Sequence, residues 1–352
     1  MSLTKDILGR DEELFFNDLN ITSKSLDNNS ETKLIADFTE YNPLHNGHFH
    51  CMKVAKSQVP DALFVAIVPG LFERSGRGIP YILPREIRAK LAISVGADVV
   101  VEGPPMGIMG SGQYSLSLAK MFKALNTDYI PRGYKEVPNF DLIMDRISEG
   151  HWIAPKPYKI IDKTVDEVLL RDKLEEDNYV IASFSNSLSK IHFDYNKFIF
   201  VKRIEGVSGT LIRQSIVENN FDKVKDMMPD KTIEVLKHEI ANDNLIYNVR
   251  DEEAILNTVN TFDFDNLLSL NMFNERLANT IFNNAPFDNV DEVQKVIGRG
   301  FSTHFGERIL SILEIPISKK VISEYIENYP AKIRVLDYKN REVLEKFRKK
   351  VN

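Results

Sequence analysis

An α/β fold, a parallel sheet followed by an α-helical C-terminal domain, is what the sequence predicts. Between residues 33 and 220 short apolar runs alternate with helix-period segments, and beyond about residue 220 only the helical spacing continues. The composition bounds the answer: 352 residues, 43% hydrophobic and 27% charged, describe an ordinary globular chain long enough for roughly two domains.

Taken in order, residues 1–30 are polar, rich in Asp and Asn, with one apolar patch at Leu14–Phe16, and read as a short helix and a mobile leader. Lys33–Glu40 reads as a buried strand that turns at once into a helix-period segment. The alternation repeats with a strand at 62–69, a helix at 84–96, a strand at 97–103, a helix at about 113–125 and a strand at 128–131. From 132 to 178 the pattern loosens around Pro131, Pro138, Pro155 and Pro157, which predicts loops and an inserted helix. Strands are expected again at 179–184 and 197–203, flanking a short helix, and a further helix opens at a Ser208 cap. From 230 to 330 the spacing is helical, punctuated by Pro229, Pro316 and Pro330. The expected division is a leader at 1–30, a catalytic domain at 31–220 and a helical domain at 221–352, without internal repeats.

Several function classes drop out. No run of 18 apolar residues is present, so no membrane-spanning helix is expected, and the opening residues mix acids and bases without a secretory apolar core. The expected location is cytoplasmic. A single cysteine, Cys51, and 7 histidines offer neither an internal disulfide nor a zinc-finger ligand array. The net charge of −6 does not advertise a polyanion partner such as DNA, but it is unevenly spread, with a local −6 over 251–300 and +4 over 301–352. Lys346, Arg348, Lys349 and Lys350 form one basic cluster that would meet nucleic-acid phosphates. A solvated helix face is the competing reading.

The chemistry concentrates in the first strand-to-helix turn, Thr39-Glu40-Tyr41-Asn42-Pro43-Leu44-His45-Asn46-Gly47-His48. In an open parallel sheet the ligand lies beyond the carboxyl ends of the strands, where a helix start offers unpaired N–H groups to phosphate. Asn42-Pro43 forces a turn, Gly47 lets backbone approach a phosphate, and His45 and His48, three apart, face one side. Two imidazoles there would stabilise charge developing at an α-phosphorus. The spacing of His45, His48 and His50 also allows a metal reading, although no carboxylate stands in that turn after Glu40 and the only thiol is Cys51. Neither a Walker-type loop nor G-x-G-x-x-G is present at this place.

The turn resembles the H-x-G-H signature of the nucleotidyltransferase superfamily. The fuller string, Glu40 to Pro43 with His45 to His48, is similar to the tRNA(Met) cytidine acetate ligase family within it. A second stretch, Val207-Ser208-Gly209-Thr210-Leu211-Ile212-Arg213, resembles the superfamily's S-[ST]-T-x-[IL]-R motif; independently, Ser208 and Thr210 suit a phosphate-binding helix start and Arg213 adds a fixed positive fork. Lys202 and Arg203 resemble the family's basic strand end, and Asn186 its asparagine-bearing turn. Arg132-Gly133 is a weaker candidate for the same rim. One loop differs: where the family carries S-G-N-F-x-Q-R-G, this chain reads Pro69-Gly70-Leu71-Phe72-Glu73-Arg74-Ser75-Gly76.

The resemblance implies a Rossmann-like nucleotidyltransferase domain that uses ATP, with Mg²⁺ bridging its phosphates, to adenylate a small carboxylate such as acetate and to pass the acyl group to a tRNA cytidine. It implies that His45 and His48 are catalytic, and that Thr39, Glu40, Tyr41, Asn42, Pro43, Gly47, Gly133, Asn186, Lys202, Arg203, Ser208, Gly209, Thr210 and Arg213 bind nucleotide. Two alternatives stay open: a nucleotidyltransferase making a dinucleotide or a nucleotide-activated metabolite, and a nucleotide-binding regulatory module without turnover.

Overall fold

The computed structural model describes residues 3–21, 31–136, 140–156, 159–171, 176–193, 197–247, 250–298 and 303–351. Chain order runs α1 (Leu3–Leu19), β1 (Leu34–Phe38), α2 (Asn46–Gln58), β2 (Leu63–Pro69), α3 (Arg85–Ser94), β3 (Val99–Gly103), α4 (Ser111–Ala124) and β4 (Ile130–Tyr134). An insertion follows, with α5 (Phe140–Ser148) and the short strands β5 (Ile153–Lys156), β6 (Lys159–Asp162) and β7 (Glu167–Leu170). Then come α6 (Glu176–Lys190), β8 (Phe198–Lys202), α7 (Gly209–Val217), α8 (Asp230–Ala241), α9 (Glu252–Thr261) and α10 (Phe264–Ser269). The chain closes with α11 (Glu275–Phe282), α12 (Val290–Gly298), α13 (Thr303–Glu314), α14 (Lys319–Asn328), β9 (Val335–Tyr338) and α15 (Arg341–Val351).

Strands β1, β2 and β3 pair in parallel, and β9 adds to β3 in the antiparallel sense. On the other side the parallel pair β4–β8 joins β1 where the Ala36 N–H donates to the Tyr129 carbonyl at 2.9 Å. The order across the molecule is therefore β8-β4-β1-β2-β3-β9. The chain leaves β1 toward β2 on one side and comes back to its other side in β4, so the order reverses between β1 and β4, and a crevice opens there at the carboxyl ends of the strands.

Burial on both faces explains the nearly continuous apolar strands. Every residue of β2 is buried. Val65, Ile67, Val99 and Val101 face α4 and the C-terminal helices, while Phe64, Ala66, Val68 and Val100 face Met52, Ala55, Leu91 and Ala92 of α2 and α3. Side chains from α9 to α15, such as Ile255, Ile312 and Phe347, belong to the same buried cluster as β1 to β3. The expected boundary near residue 220 thus marks the end of the parallel strands, not a change of core. Among the described residues no helix is long and apolar enough to cross a membrane.

Four sequence expectations are corrected. The segment 179–184 is not a strand but the first half of α6, whose apolar residues pack on two sides, Phe184 toward the main core and Ile181 with Ala182 toward the insertion. A helix buried on two faces loses its polar stripe and reads like a strand. Strands β5, β6 and β7 form a three-stranded antiparallel sheet where loops were expected. Strands do not stop at 220, because β9 covers the free edge of β3. The N-terminal segment is not a mobile leader through α1: Phe15 is fully buried and stacks on Tyr325 at 4.4 Å, and the buried Asp11 pairs with Arg85 at 2.7 Å. Its acids look like surface in sequence and are neutralised inside by arginines from α3 and from the segment before β9.

Candidate functional site

A cavity of about 270 Å³ lies in the crevice. Asp37 and Thr39 from the end of β1, His45, Gly47, His48 and Cys51 from the start of α2, Arg132 and Gly133 from β4, and Lys202 with Arg203 from the end of β8 line it. A second hollow of about 600 Å³ shares Lys202, Arg203 and Ile204 with it and extends along Tyr134–Glu136 and Glu205–Val207.

The turn that carries the histidines is held from behind. Tyr41 takes a left-handed backbone (φ 45°) and Asn42-Pro43 is cis. The Glu40 carboxylate accepts the Gly76 N–H at 2.8 Å, and the Asn42 side-chain oxygen accepts the Ile82 N–H at 2.8 Å. Tyr41 is buried, with its ring edge-on to His48 at 5.3 Å. Glu40, Tyr41, Asn42 and Pro43 stand behind the cavity lining and shape the turn.

His45 stands at the N-cap of α2 with its ring stacked on that of His48, centroids 3.7 Å apart and planes within 14°. Glycine at 47 makes this possible: a Cβ there would stand 3.0 Å from the His45 ring carbon Cε1. His48 Nδ1 accepts the His45 backbone N–H at 3.3 Å, which leaves the His48 proton on Nε2. Burial, together with the positive charges of Arg203 and Arg213, pushes the His45 imidazole down to about 4. His48 is pushed well below the usual histidine range by burial, by His45 and by Arg203. Both shifts favour the neutral rings at pH 7, each of which can donate one hydrogen bond.

The second motif reaches the same place. Ser208 caps α7, its Oγ accepting the Leu211 N–H at 3.3 Å. Arg213 donates to the Asn42 carbonyl at 3.2 Å and to Thr210 Oγ1 at 3.1 Å. A Cβ on Gly209 would meet the His45 ring at 3.7 Å, so the start of α7 abuts the turn that carries the histidines. Two helix N-termini, α2 and α7, with Arg203 and Arg213, therefore surround the stacked imidazoles, an arrangement suited to a polyphosphate. Lys202 sits at the rim, exposed, with its ammonium 2.6 Å from Glu136.

Two expected residues stand elsewhere. Asn186 lies within α6 and donates to the Ile153 carbonyl of the insertion, so it does not reach the cavity. Lys350 is buried and pairs with Asp128 at 2.9 Å, which removes it from any RNA surface. Lys346 and Arg348 are exposed and pair within α15 with Glu342 (2.9 Å) and Glu345 (3.4 Å); Lys349 is exposed.

Sequence reasoning missed Asp37 and gave Arg132 little weight. Asp37 is 5% exposed at the carboxyl end of β1, and burial pushes its carboxyl up to about 7 against the opposing charge of Arg132. The signal was available: one acid inside an apolar strand, just ahead of a site turn, needs a reason. Among the described residues no group of three His, Cys, Asp or Glu side chains could hold a metal ion.

A parallel sheet opened at its order reversal, with an H-x-G-H turn on one helix and a Ser-to-Arg motif on another, is the architecture of a nucleotidyltransferase. Residues 33–142 match the family described as HIGH Nucleotidyl Transferase, and residues 135–337 match the Cytidyltransferase-related C-terminal region. The chain belongs to this family of HIGH nucleotidyltransferases that carry the cytidyltransferase-related C-terminal region. An uncharacterized protein of Methanocaldococcus jannaschii is 44% identical over 343 residues, 96% of this chain and 94% of the relative. The tRNA(Met) cytidine acetate ligase of Kosmotoga olearia is 25% identical over 354 residues, covering 89% of this chain and 82% of the relative. In fold the chain is similar to the crystal structure of Thermotoga maritima TmcAL bound with alpha-thio ATP, with a TM-score of 0.70 at 19% identity over 91% of this chain and 84% of that one.

Proposed function

We propose that the protein activates a small carboxylic acid with ATP and transfers the acyl group to a cytidine amine of a tRNA. One observation carries the reading: two stacked imidazoles at a helix start face the cavity that Arg203 from the end of β8 also lines, and Arg213 of the distant second motif is tied to the same turn through the Asn42 carbonyl. The names of relatives such as the Kosmotoga olearia ligase favour the acid and the tRNA.

In the first half-reaction a carboxylate oxygen attacks the α-phosphorus of ATP; the bond to the β-phosphate oxygen breaks and pyrophosphate leaves. His48, protonated on Nε2, and His45 donate to the phosphoryl oxygens as charge builds there, and being neutral already they lose no proton in doing so. Arg203, Arg213 and the N-termini of α2 and α7 hold the phosphates. In the second half-reaction the cytidine amine attacks the acyl carbon, AMP leaves with the oxygen that came from the acid, and the amine gives up a proton. Mg²⁺ would enter with the nucleotide, where it supplies charge neutralisation on the phosphates. A base presented to this cavity must be splayed from its stack, and Lys346, Arg348 and Lys349 on α15 offer phosphate contacts.

The test is pyrophosphate release from ATP with a panel of small carboxylates, with and without tRNA. Acid-dependent exchange of pyrophosphate into ATP and tRNA-dependent acyl transfer are expected. Turnover with a phosphorylated metabolite in place of any acid would move the protein to the metabolite-activating reading.

A further inference from the structure

We propose that Arg132 is the seat of the acid's carboxylate, binding it through the Nε and Nη2 edge of its guanidinium at the inner wall of the cavity. This rests on the acid-activating reading above. Arg132 projects from β4 with its side chain only 11% exposed. Its Nη1 donates to the Phe38 carbonyl at 3.1 Å and stands 3.8 Å from Asp37 Oδ1. Its Nε and Nη2, which share one edge of the guanidinium, are shielded from water and have no hydrogen-bond partner among the described residues. Buried donors are costly to leave unpaired, by about 1–3 kcal/mol for each group and more for charged ones. Two parallel N–H groups on one guanidinium edge match the two oxygens of a carboxylate.

Position separates this arginine from the phosphate site. Arg203 and Arg213 are the cations whose fields act on His45, and Arg203 also acts on His48, whereas Arg132 interacts with Asp37 on the β1 side and packs against the Phe184 ring at 5.4 Å. The cavity that Arg132 lines is partly apolar, with Phe38, Pro131, Val180 and Val201, which suits a short acyl chain. Asp37 does not saturate the guanidinium: at 3.8 Å it is beyond hydrogen-bond length, and its own burial works against its charge. Arg132 lines the cavity, and a carboxylate that reaches this edge past the side chains now covering it meets a preoriented cation with two unused donors.

The test compares wild type, Arg132→Gln and Arg132→Lys as full-length proteins in acetate-dependent ATP–pyrophosphate exchange, with ATP affinity measured by equilibrium dialysis on the same samples and folding checked by thermal unfolding. Arg132→Gln is expected to raise the acetate concentration for half-maximal exchange about tenfold or more while ATP affinity stays within about twofold. Lysine, which keeps the charge and loses the two-donor edge, should fall between; if the glutamine variant does not fold, the lysine variant carries the comparison. An unchanged acetate dependence overturns the seat, and so does a loss of ATP affinity in step with it, which would assign Arg132 to the nucleotide. If wild type binds ATP but shows no acetate-dependent exchange, the acid-activating reading fails and takes this one with it, whereas active wild type with indifferent variants defeats the seat alone.

Discussion

Arg88 and Arg132 reach the backbone just after β1 from opposite sides and end in opposite states. Arg88 uses every nitrogen: Nε donates to the Leu83 carbonyl at 3.0 Å, Nη1 to the Glu40 carbonyl at 2.8 Å, and Nη2 to both the Pro69 carbonyl and Glu73 at 2.8 Å. Its face lies 3.9 Å from the Tyr81 ring. Arg132 satisfies one nitrogen and leaves two without a partner among the described residues. A saturated buried cation is scaffold, and an unsaturated one at a cavity wall is a binding group. The loop after β2, where the chain departs from the family's S-G-N-F string, falls in the saturated region: Glu73 accepts from Arg85 and Arg88, and Arg74 pairs with Glu314 of α13 at 2.5 Å. That loop braces the turn through Glu40 and Gly76 and presents no side chain to the main cavity.

The contrast breaks most visibly in stability. Arg88→Met strips Glu73 of one partner inside the protein and is expected to cost about 3–5 kcal/mol in urea unfolding, whereas Arg132→Gln should cost less than about 1 kcal/mol. Equal losses would erase the distinction. In activity the order reverses: His45→Ala and His48→Ala should each lower pyrophosphate exchange by about 10² or more while the urea midpoint barely moves. Gly47→Ala, which crowds the His45 ring, should give a smaller loss, about tenfold.

Asp37 supplies the pH test. Its folded-state carboxyl titrates near 7, above its ordinary value of 3.8, so between these two the folded state holds a proton that the unfolded chain releases, and stability falls as pH rises through that window. Asp37→Asn mimics the protonated form and should be more stable than wild type at pH 8 by on the order of 2 kcal/mol beyond any difference at pH 5. His45, pushed down to about 4, acts in the opposite sense below its ordinary 6.5. Comparing the variant with wild type at each pH isolates the Asp37 part. A margin independent of pH would mean that Asp37 is ionised throughout. The smallest effect is expected on α15: changing Lys346, Arg348 and Lys349 to Gln should weaken tRNA binding, flatten its salt dependence by up to about 3 in slope, and leave acid-dependent exchange untouched. Filter binding across a salt series reads it.

Much of this site was legible in the chain because its residues are tied to local rules. The H-x-G-H turn follows a buried strand, Ser208 is a standard helix cap, and Arg213 lies one turn inward, so all fall where strand ends and helix starts must meet. Asn186 and Lys350 were misplaced because long-range packing decides their partners, Ile153 and Asp128, and no spacing rule announces either. The segment 179–184 failed for the same reason, its helix being buried on two faces. Asp37 and Arg132 lie 95 positions apart in sequence and become a pair only because β4 returns to the far side of β1.

The acid's oxygen gives the most direct test of the proposed chemistry. Incubating the protein with ATP, tRNA and acetate labelled with ¹⁸O in both oxygens, then examining the AMP by mass spectrometry, follows the bond that the first half-reaction forms. Attack of the carboxylate on the α-phosphorus followed by acyl transfer to an amine predicts one ¹⁸O in each AMP formed with acylated tRNA. AMP without label, or formation of ADP in its place, would contradict an acyl-adenylate at this site.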